Sequence, residues 1–209
     1  MEQKLPGARR DGRVGRGVCD RERGAGRMTG TMVASPLGPL TLTAEGGALT
    51  GLWLPGQRGC PQTLTPGDAP VLDAAQDWLL RYFAGDAPDP RALPLAPQGS
   101  AFAREVWRLL LAIPYGRAMS YGALAAQLAA RRGLAHMSAQ AVGGAVGRNP
   151  IAIIIPCHRV LGAQGQLTGY AGGLAAKRFL LAHEGIGYRG SSNDGIAASH
   201  QREAGRVKG

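Results

Sequence analysis

Residues 151–160, IAIIIPCHRV, constrain the fold of this chain more than any other stretch. Ile151, Ile153, Ile154 and Ile155 are β-branched and belong in a core, so the run predicts a buried, extended strand. It is far too short to cross a bilayer. Pro156 has no N–H to offer a ladder, so the strand should stop there. Cys157 and His158 follow at once, which puts a thiol and an imidazole on a turn fixed by the packing behind it.

The length of 209 residues suits one large domain or two small ones, and 44% hydrophobic content is ordinary for a globular core. No stretch is apolar for long enough to span a membrane, and the arginine-bearing N-terminus lacks the apolar segment of a secretory signal. A cytoplasmic protein is expected, nucleoid-associated if the source is prokaryotic. Cys19, Cys60 and Cys157 are odd in number and widely spaced, which argues against a disulfide framework. With no C-x-x-C and scattered histidines, no metal site is expected either. Free thiols fit a reducing compartment. The net charge of +10 is unevenly spread: residues 29–99 are net −3, whereas residues 100–188 carry nine Lys/Arg against two acids. A polyanion is the partner such a half would attract, although a solvated basic surface has the same composition.

Residues 1–28 are rich in Gly and Arg without apolar period and read as disordered, or as a segment ahead of a true start at Met28 or Met32. Short strands are expected near 31–34, 39–44 and 48–54, forming an antiparallel meander. Leu72, Ala75, Leu79, Tyr82 and Phe83 then make one helical stripe, stopped at Gly85. Residues 89–99, in a proline-rich stretch that begins at 85, read as a linker between a unit at 29–88 and a second at 100–188. Ser100 should cap a helix buried through Phe102, Val106, Leu109, Leu110 and Ile113. Ser120 and Ser138 cap two short helices joined by a basic segment, as in helix-turn-helix proteins. The second, SAQAVGGAVG, holds Gly143 and Gly144 in its interior at about 1 kcal/mol each relative to alanine. Its bare face implies close approach by something, be it another helix, a phosphate or a larger partner. A last helix from Leu174 to Glu184 should turn Phe179, Leu180 and Leu181 inward and end at Gly185. Residues 189–209 read as a polar, disordered tail.

A lone buried cysteine is usually inert filling. Here His158 is adjacent, and Glu184 ends a helix that could return to orient an imidazole, so a Cys-His-Glu relay is chemically sensible. Adjacent side chains on extended backbone point apart, so His158 would reach the sulfur through a water or a turn. Three classes survive: a cysteine hydrolase or transferase of small molecules, an enzyme acting on nucleic acid, and a DNA-binding regulator with a structural cysteine.

Pro156-Cys157-His158-Arg159-Val160, with Gly147-Arg148-Asn149-Pro150 before it and Tyr170-Ala171-Gly172-Gly173 and Leu181-Ala182-His183-Glu184-Gly185 after it, resembles the O6-alkylguanine-DNA alkyltransferase family. The resemblance spans about residues 30–188 and is strongest from 100 onward. It implies a ribonuclease-H-like α/β N-terminal unit followed by a mostly helical, winged helix-turn-helix alkyltransferase domain. It also implies a monomer that binds double-stranded DNA through the minor groove, with no cofactor. Cys157 would take the alkyl group from guanine O6 once and irreversibly; His158 would act through a water as base, and Glu184 would hold its tautomer. Asn149 would brace the turn, and Tyr121 would donate toward guanine N3. Tyr170, Val160, Ala171, Gly172 and Lys177 would form the substrate pocket, the carbonyls of Cys157 and Val160 reading the exocyclic amine and the Ala171 N–H facing O6. Ser120, Gln140, Ala141, Gly143, Gly144 and Arg148 would meet DNA.

O6 of a stacked base is out of reach, so the nucleotide would be flipped out of the duplex. A minor groove about 6 Å wide would account for the Ala/Gly face of the second helix. Two positions depart from the family pattern. Alanine stands at 171 where relatives often have serine, and Gln140 falls where an arginine commonly fills the gap left by the flipped base. Arg148 and Arg132 are the cations that could compensate. Binding-only relatives lack the cysteine, which this chain has.

Overall fold

The structure, a computed structural model, describes residues 28–67 and 69–190. The expectations for residues 1–27 and 191–209 lie outside the described residues, as does Cys19. Strands β1 (Thr29–Val33), β2 (Leu40–Glu45) and β3 (Ala48–Trp53) form the antiparallel meander in sequence order. Leu40, Leu42, Leu49 and Leu52 are fully buried, and helix α1 (Pro70–Phe83) packs against all three strands. Pro70 opens α1 at a position where its missing N–H would have had no helical partner. Trp78 joins the expected stripe as a buried residue.

Residues 89–99 are more than a connection. Leu93 is buried, and β3 gains a parallel bridge there: Leu49 N donates to Pro94 O and Ala96 N to Leu49 O, both at 2.8 Å. Helix α2 (Ala101–Leu110) starts at Ser100, whose Oγ accepts from Ala103 N at 3.2 Å. Helices α3 (Tyr121–Arg131) and α4 (Ala139–Gly147) are capped by Ser120 and Ser138, at 3.1 and 3.3 Å. Trp107 Nε1 donates to Ala145 O at 2.9 Å and so pins α4 to α2. Two-residue strands β4 (Met119–Ser120) and β5 (Val160–Leu161) pair in parallel.

The strand expected over 151–155 does not form. Ile151 alone bridges, to Leu52, with Leu52 N donating to Pro150 O at 2.8 Å and Ala152 N to Leu52 O at 2.9 Å. The chain then folds back on itself: Ile155 N donates to Ile151 O at 3.0 Å, and Ile153 adopts φ 66°. A β-branched residue in that region costs on the order of 1–3 kcal/mol. The cost is met by burial, since residues 151–155 are all within 1% of complete enclosure. Isoleucine content reported the burial correctly and the backbone wrongly, because hydrophobicity is indifferent to φ and ψ.

Helix α5 (Leu174–His183) buries Leu180 and Leu181, but Phe179 is exposed, contrary to the expected inward stripe. Three consecutive residues of a helix cannot share one face; Phe179 lies at the edge, its ring stacked beside His183. Gly185 ends the helix at φ 68°, as expected of a C-terminal glycine. The chain stays anchored as far as Arg189, whose N donates to Gly165 O at 2.8 Å and whose O accepts from Leu167 N at 3.0 Å. One contiguous core runs from Val33 to Leu180 and includes Cys157.

Candidate active site

The turn after Pro156 is a single 3-10 turn, Cys157–Arg159, with all three side chains buried. Asn149, just past α4, shapes it. Its Nδ2 donates to Ile155 O at 2.8 Å, to Ile151 O at 3.2 Å and to Cys157 Sγ at 3.1 Å, while its Oδ1 accepts from Ile151 N at 3.0 Å. One amide thus closes the isoleucine loop and steadies the sulfur. It also couples the end of α4 to Cys157 mechanically.

Burial pushes the Cys157 thiol up from its ordinary range. The Asn149 amide, the Lys177 ammonium and the Tyr170 hydroxyl pull it back only in part. Cys157 therefore rests as a thiol and needs a base. Tyr170 Oη is enclosed near the sulfur, and burial, with Cys157 beside it, pushes the Tyr170 hydroxyl well up from its ordinary range. Lys177 is enclosed, with Nζ donating to Val160 O at 2.6 Å and to Thr168 O at 3.3 Å. Burial brings its pKa down to about 8, against the opposing pull of Cys157.

Glu184, the residue after α5, faces the turn from the other side. Burial would raise its pKa, but the hydrogen bonds from His158 and Arg159 outweigh that and hold it at about 2. His158 Nε2 lies 2.7 Å from Glu184 Oε1, and Arg159 donates from Nε to Oε2 at 2.7 Å and from Nη2 to Oε1 at 3.0 Å. Gly116 N donates to Oε2 at 3.2 Å. An ionised carboxylate only accepts, so the His158 proton sits on Nε2. Burial keeps the imidazole neutral despite the raising effect of Glu184. Nδ1, which has no hydrogen-bond partner among the described residues, is left as the basic nitrogen. A sulfur in want of a base and a neutral imidazole with its lone pair fixed therefore share one turn.

Beyond the sulfur, Tyr121 opens α3, its hydroxyl pKa raised by burial and by the nearby Cys157. Gly143 lies beside it: a Cβ there would rest at 3.6 Å from the Tyr121 ring, an ordinary contact, so packing inside the protein does not by itself require glycine. Gly144 faces the Arg148 guanidinium. Gln140, Ala141 and Arg148 are exposed, and Gly143 and Gly144 half-buried. Arg132 is committed elsewhere, 2.6 Å from Glu105 and over the Phe102 ring, so of the two compensating cations only Arg148 stays beside α4. Gly172 lies against Leu54 and the exposed Ala171 precedes it. Sequence reasoning missed Arg159 and Tyr82. Arg159 stood in plain view beside His158; Tyr82 looked like one more apolar residue on α1, yet its Oη donates to Glu184 Oε1 at 2.8 Å.

Fold and site together define a buried-thiol protein in which a charge-anchored imidazole lies on the same turn as the sulfur and a pair of short helices precedes it. The family described as 6-O-methylguanine DNA methyltransferase, DNA binding domain, matches residues 101–186. The methylated-DNA–protein-cysteine methyltransferase of Mycobacterium tuberculosis is 46% identical over 158 residues, covering 73% of this chain and 89% of the relative. That of Haemophilus influenzae is 39% identical over 167 residues, covering 78% and 90%. Among solved structures, Mycobacterium tuberculosis OGT in complex with DNA is similar with a TM-score of 0.62 at 46% identity, covering 73% of this chain and 90% of that one. The chain belongs to the methylated-DNA–protein-cysteine methyltransferase family. Among the described residues no helix is long and apolar enough to cross a membrane.

Proposed function

We propose that this chain repairs DNA by direct reversal, moving an alkyl group from guanine O6 to Cys157. The observation that carries the reading is the placement of Cys157 Sγ, 3.1 Å from Asn149 Nδ2, on the same buried turn as an imidazole that Glu184 holds with Nδ1 unprotonated. Family membership supports the reaction type.

In the proposed step, His158 Nδ1 takes the thiol proton through a water, and the sulfur lone pair forms an S–C bond to the alkyl carbon. The C–O bond pair leaves on the guanine, where a hydrogen bond from Tyr121 offsets the developing charge. The product is a thioether, a poor leaving group, so each protein molecule acts once. Tyr170, Ala171, Gly172 and the Val160 carbonyl would border the flipped base; Lys177, which already occupies that carbonyl from inside, acts by holding the wall and lowering the charge cost at sulfur.

The DNA partner is read as a duplex entered from its minor groove by α4, with Ser120, Gln140, Ala141, Gly143, Gly144 and Arg148 at the contact. The support is the low profile of that helix, since a side chain at Gly143 or Gly144, even a methyl, would hold it farther out of a groove about 6 Å wide. In fold terms, α3 and α4 are read as the helix-turn-helix of a winged domain, and the meander with α1 as the ribonuclease-H-like unit.

The test is transfer of labelled methyl from methylated duplex to protein, with Cys157→Ala as control. One methyl per protein, and none in the variant, is expected. More than one per Cys157, or label retained in the variant, overturns the reading.

A further inference from the structure

The N-terminal unit reaches the relay through Tyr82. This residue, in the last turn of α1, is fully buried, and its Oη donates at 2.8 Å to Glu184 Oε1, the oxygen that also holds His158 Nε2 at 2.7 Å. Its backbone is caught by the same segment: His183 Nε2 lies 2.7 Å from Tyr82 O and can only donate there. The ring is stacked on Trp78 at 5.4 Å and meets Tyr115 edge-on at 6.0 Å. Two successive residues at the end of α5 thus clasp one tyrosine by its main chain and its hydroxyl. A buried aromatic needs a partner for its O–H, but many carbonyls would serve; here the partner is the carboxylate behind the imidazole.

We propose that Tyr82 is a positioning residue for alkyl transfer, holding Glu184 in the orientation that faces His158 and sharing the oxygen on which His158 depends. The proposal rests on the reading of Cys157 as acceptor and His158 as base. A carboxylate oxygen that accepts from several donors pulls less on each, so the Tyr82 hydroxyl moderates the drive to protonate His158. The charged and titratable groups around the pair are few. Arg159 and Lys177 oppose protonation of His158 while Glu184 favours it, Tyr82, Tyr115 and Tyr170 border Glu184, and His183 packs on the Tyr82 ring with Nε2 at 2.7 Å from its carbonyl oxygen. Removing the Tyr82 hydroxyl leaves Glu184 more basic toward His158, so the imidazole takes up its proton at higher pH and is lost as a base earlier on acidification.

The experiment uses the full chain with Tyr82→Phe and, separately, with 3-fluorotyrosine in place of Tyr82, whose more acidic hydroxyl is a stronger donor. Single-turnover methyl transfer from a methylated duplex is followed across pH, with duplex affinity and thermal unfolding measured alongside. Tyr82→Phe should move the acidic limb of the rate profile up by about half a pH unit, a roughly threefold loss of rate on that limb, with duplex affinity unchanged. Fluorotyrosine should move it the other way. Profiles that coincide with wild type, or that shift in the same direction for both, overturn the proposal. Should Tyr82→Phe fail to fold, the fluorotyrosine arm decides by itself. Absence of transfer in the wild-type protein would count against the function, and only the variant profiles bear on Tyr82.

Discussion

Glu184→Gln tests the centre of the site through stability alone. Glu184 is held at about 2 against an ordinary 4.5 because, although burial opposes ionisation, His158 and Arg159 bond the carboxylate. A depression of that size corresponds to about 3 kcal/mol of folding free energy. The folded pKa is the lower one, so the unfolded chain takes up the proton first on acidification. The contribution is therefore complete above about pH 4.5 and is lost as pH falls toward about 2. In Glu184→Gln the charge is gone and Arg159 stays buried with Ile113 O, 2.6 Å from Nη1, as an acceptor. Breaking a buried pair from one side costs about 3–5 kcal/mol at neutral pH. Urea unfolding of both proteins at a series of pH values measures this. The gap should close as the wild type descends between about pH 4.5 and 2. His158, whose pKa is lowered from 6.5 chiefly by burial, begins to cost stability just below that value, in a separate window at higher pH. A gap under about 1 kcal/mol at neutral pH, or one that stays constant into the acid range, refutes the assignment of Glu184 as the buried charge that organises this turn.

Asn149→Ala removes the amide that spans Ile151, Ile155 and the sulfur; we expect a loss of about 2–4 kcal/mol in chemical unfolding and slower alkylation of Cys157 by iodoacetamide, and unaltered labelling would count against the amide steadying the sulfur. Gly143→Ala places a methyl at ordinary contact distance from Tyr121, so it should raise stability by up to about 1 kcal/mol while weakening duplex binding in a titration; equal or tighter binding argues against α4 entering a narrow groove. Gln140→Arg adds a cation at the exposed start of α4 and should tighten duplex binding with a steeper salt dependence; no change removes position 140 from the contact. Cys157→Ser keeps the turn and removes the thiolate, so methyl transfer should vanish while duplex affinity is kept, and loss of binding would assign Cys157 a structural part instead.

The linear sequence determined the things that depend on short-range chemistry. Ser100, Ser120 and Ser138 each precede a helix because a hydroxyl can satisfy a free N–H three residues on, and all three caps form. The alternation around Gly46-Gly47 set the meander, and the PCHRV run with Glu184 in its own motif pointed to the family before any contact was known. Apolar content located the core at 151–155 but not its backbone. Whether isoleucines lie in a strand or a folded-back loop was decided by Asn149, which bonds Ile151 and Ile155, and by Leu52, which pairs with the chain on either side of Ile151. The relay behind the thiol was likewise a tertiary outcome. Tyr82 and Glu184 stand 102 residues apart, and nothing in either neighbourhood encodes their meeting; it follows from how α1 and α5 share one core. Phe179 turned outward for a related reason, as a ten-residue helix offers one buried stripe and Leu180 and Leu181 had filled it. The thiol was legible in the chain, and the groups that set its base in place became visible only when the two halves were packed together, because charge, burial and hydrogen bonding act through space and not along the sequence.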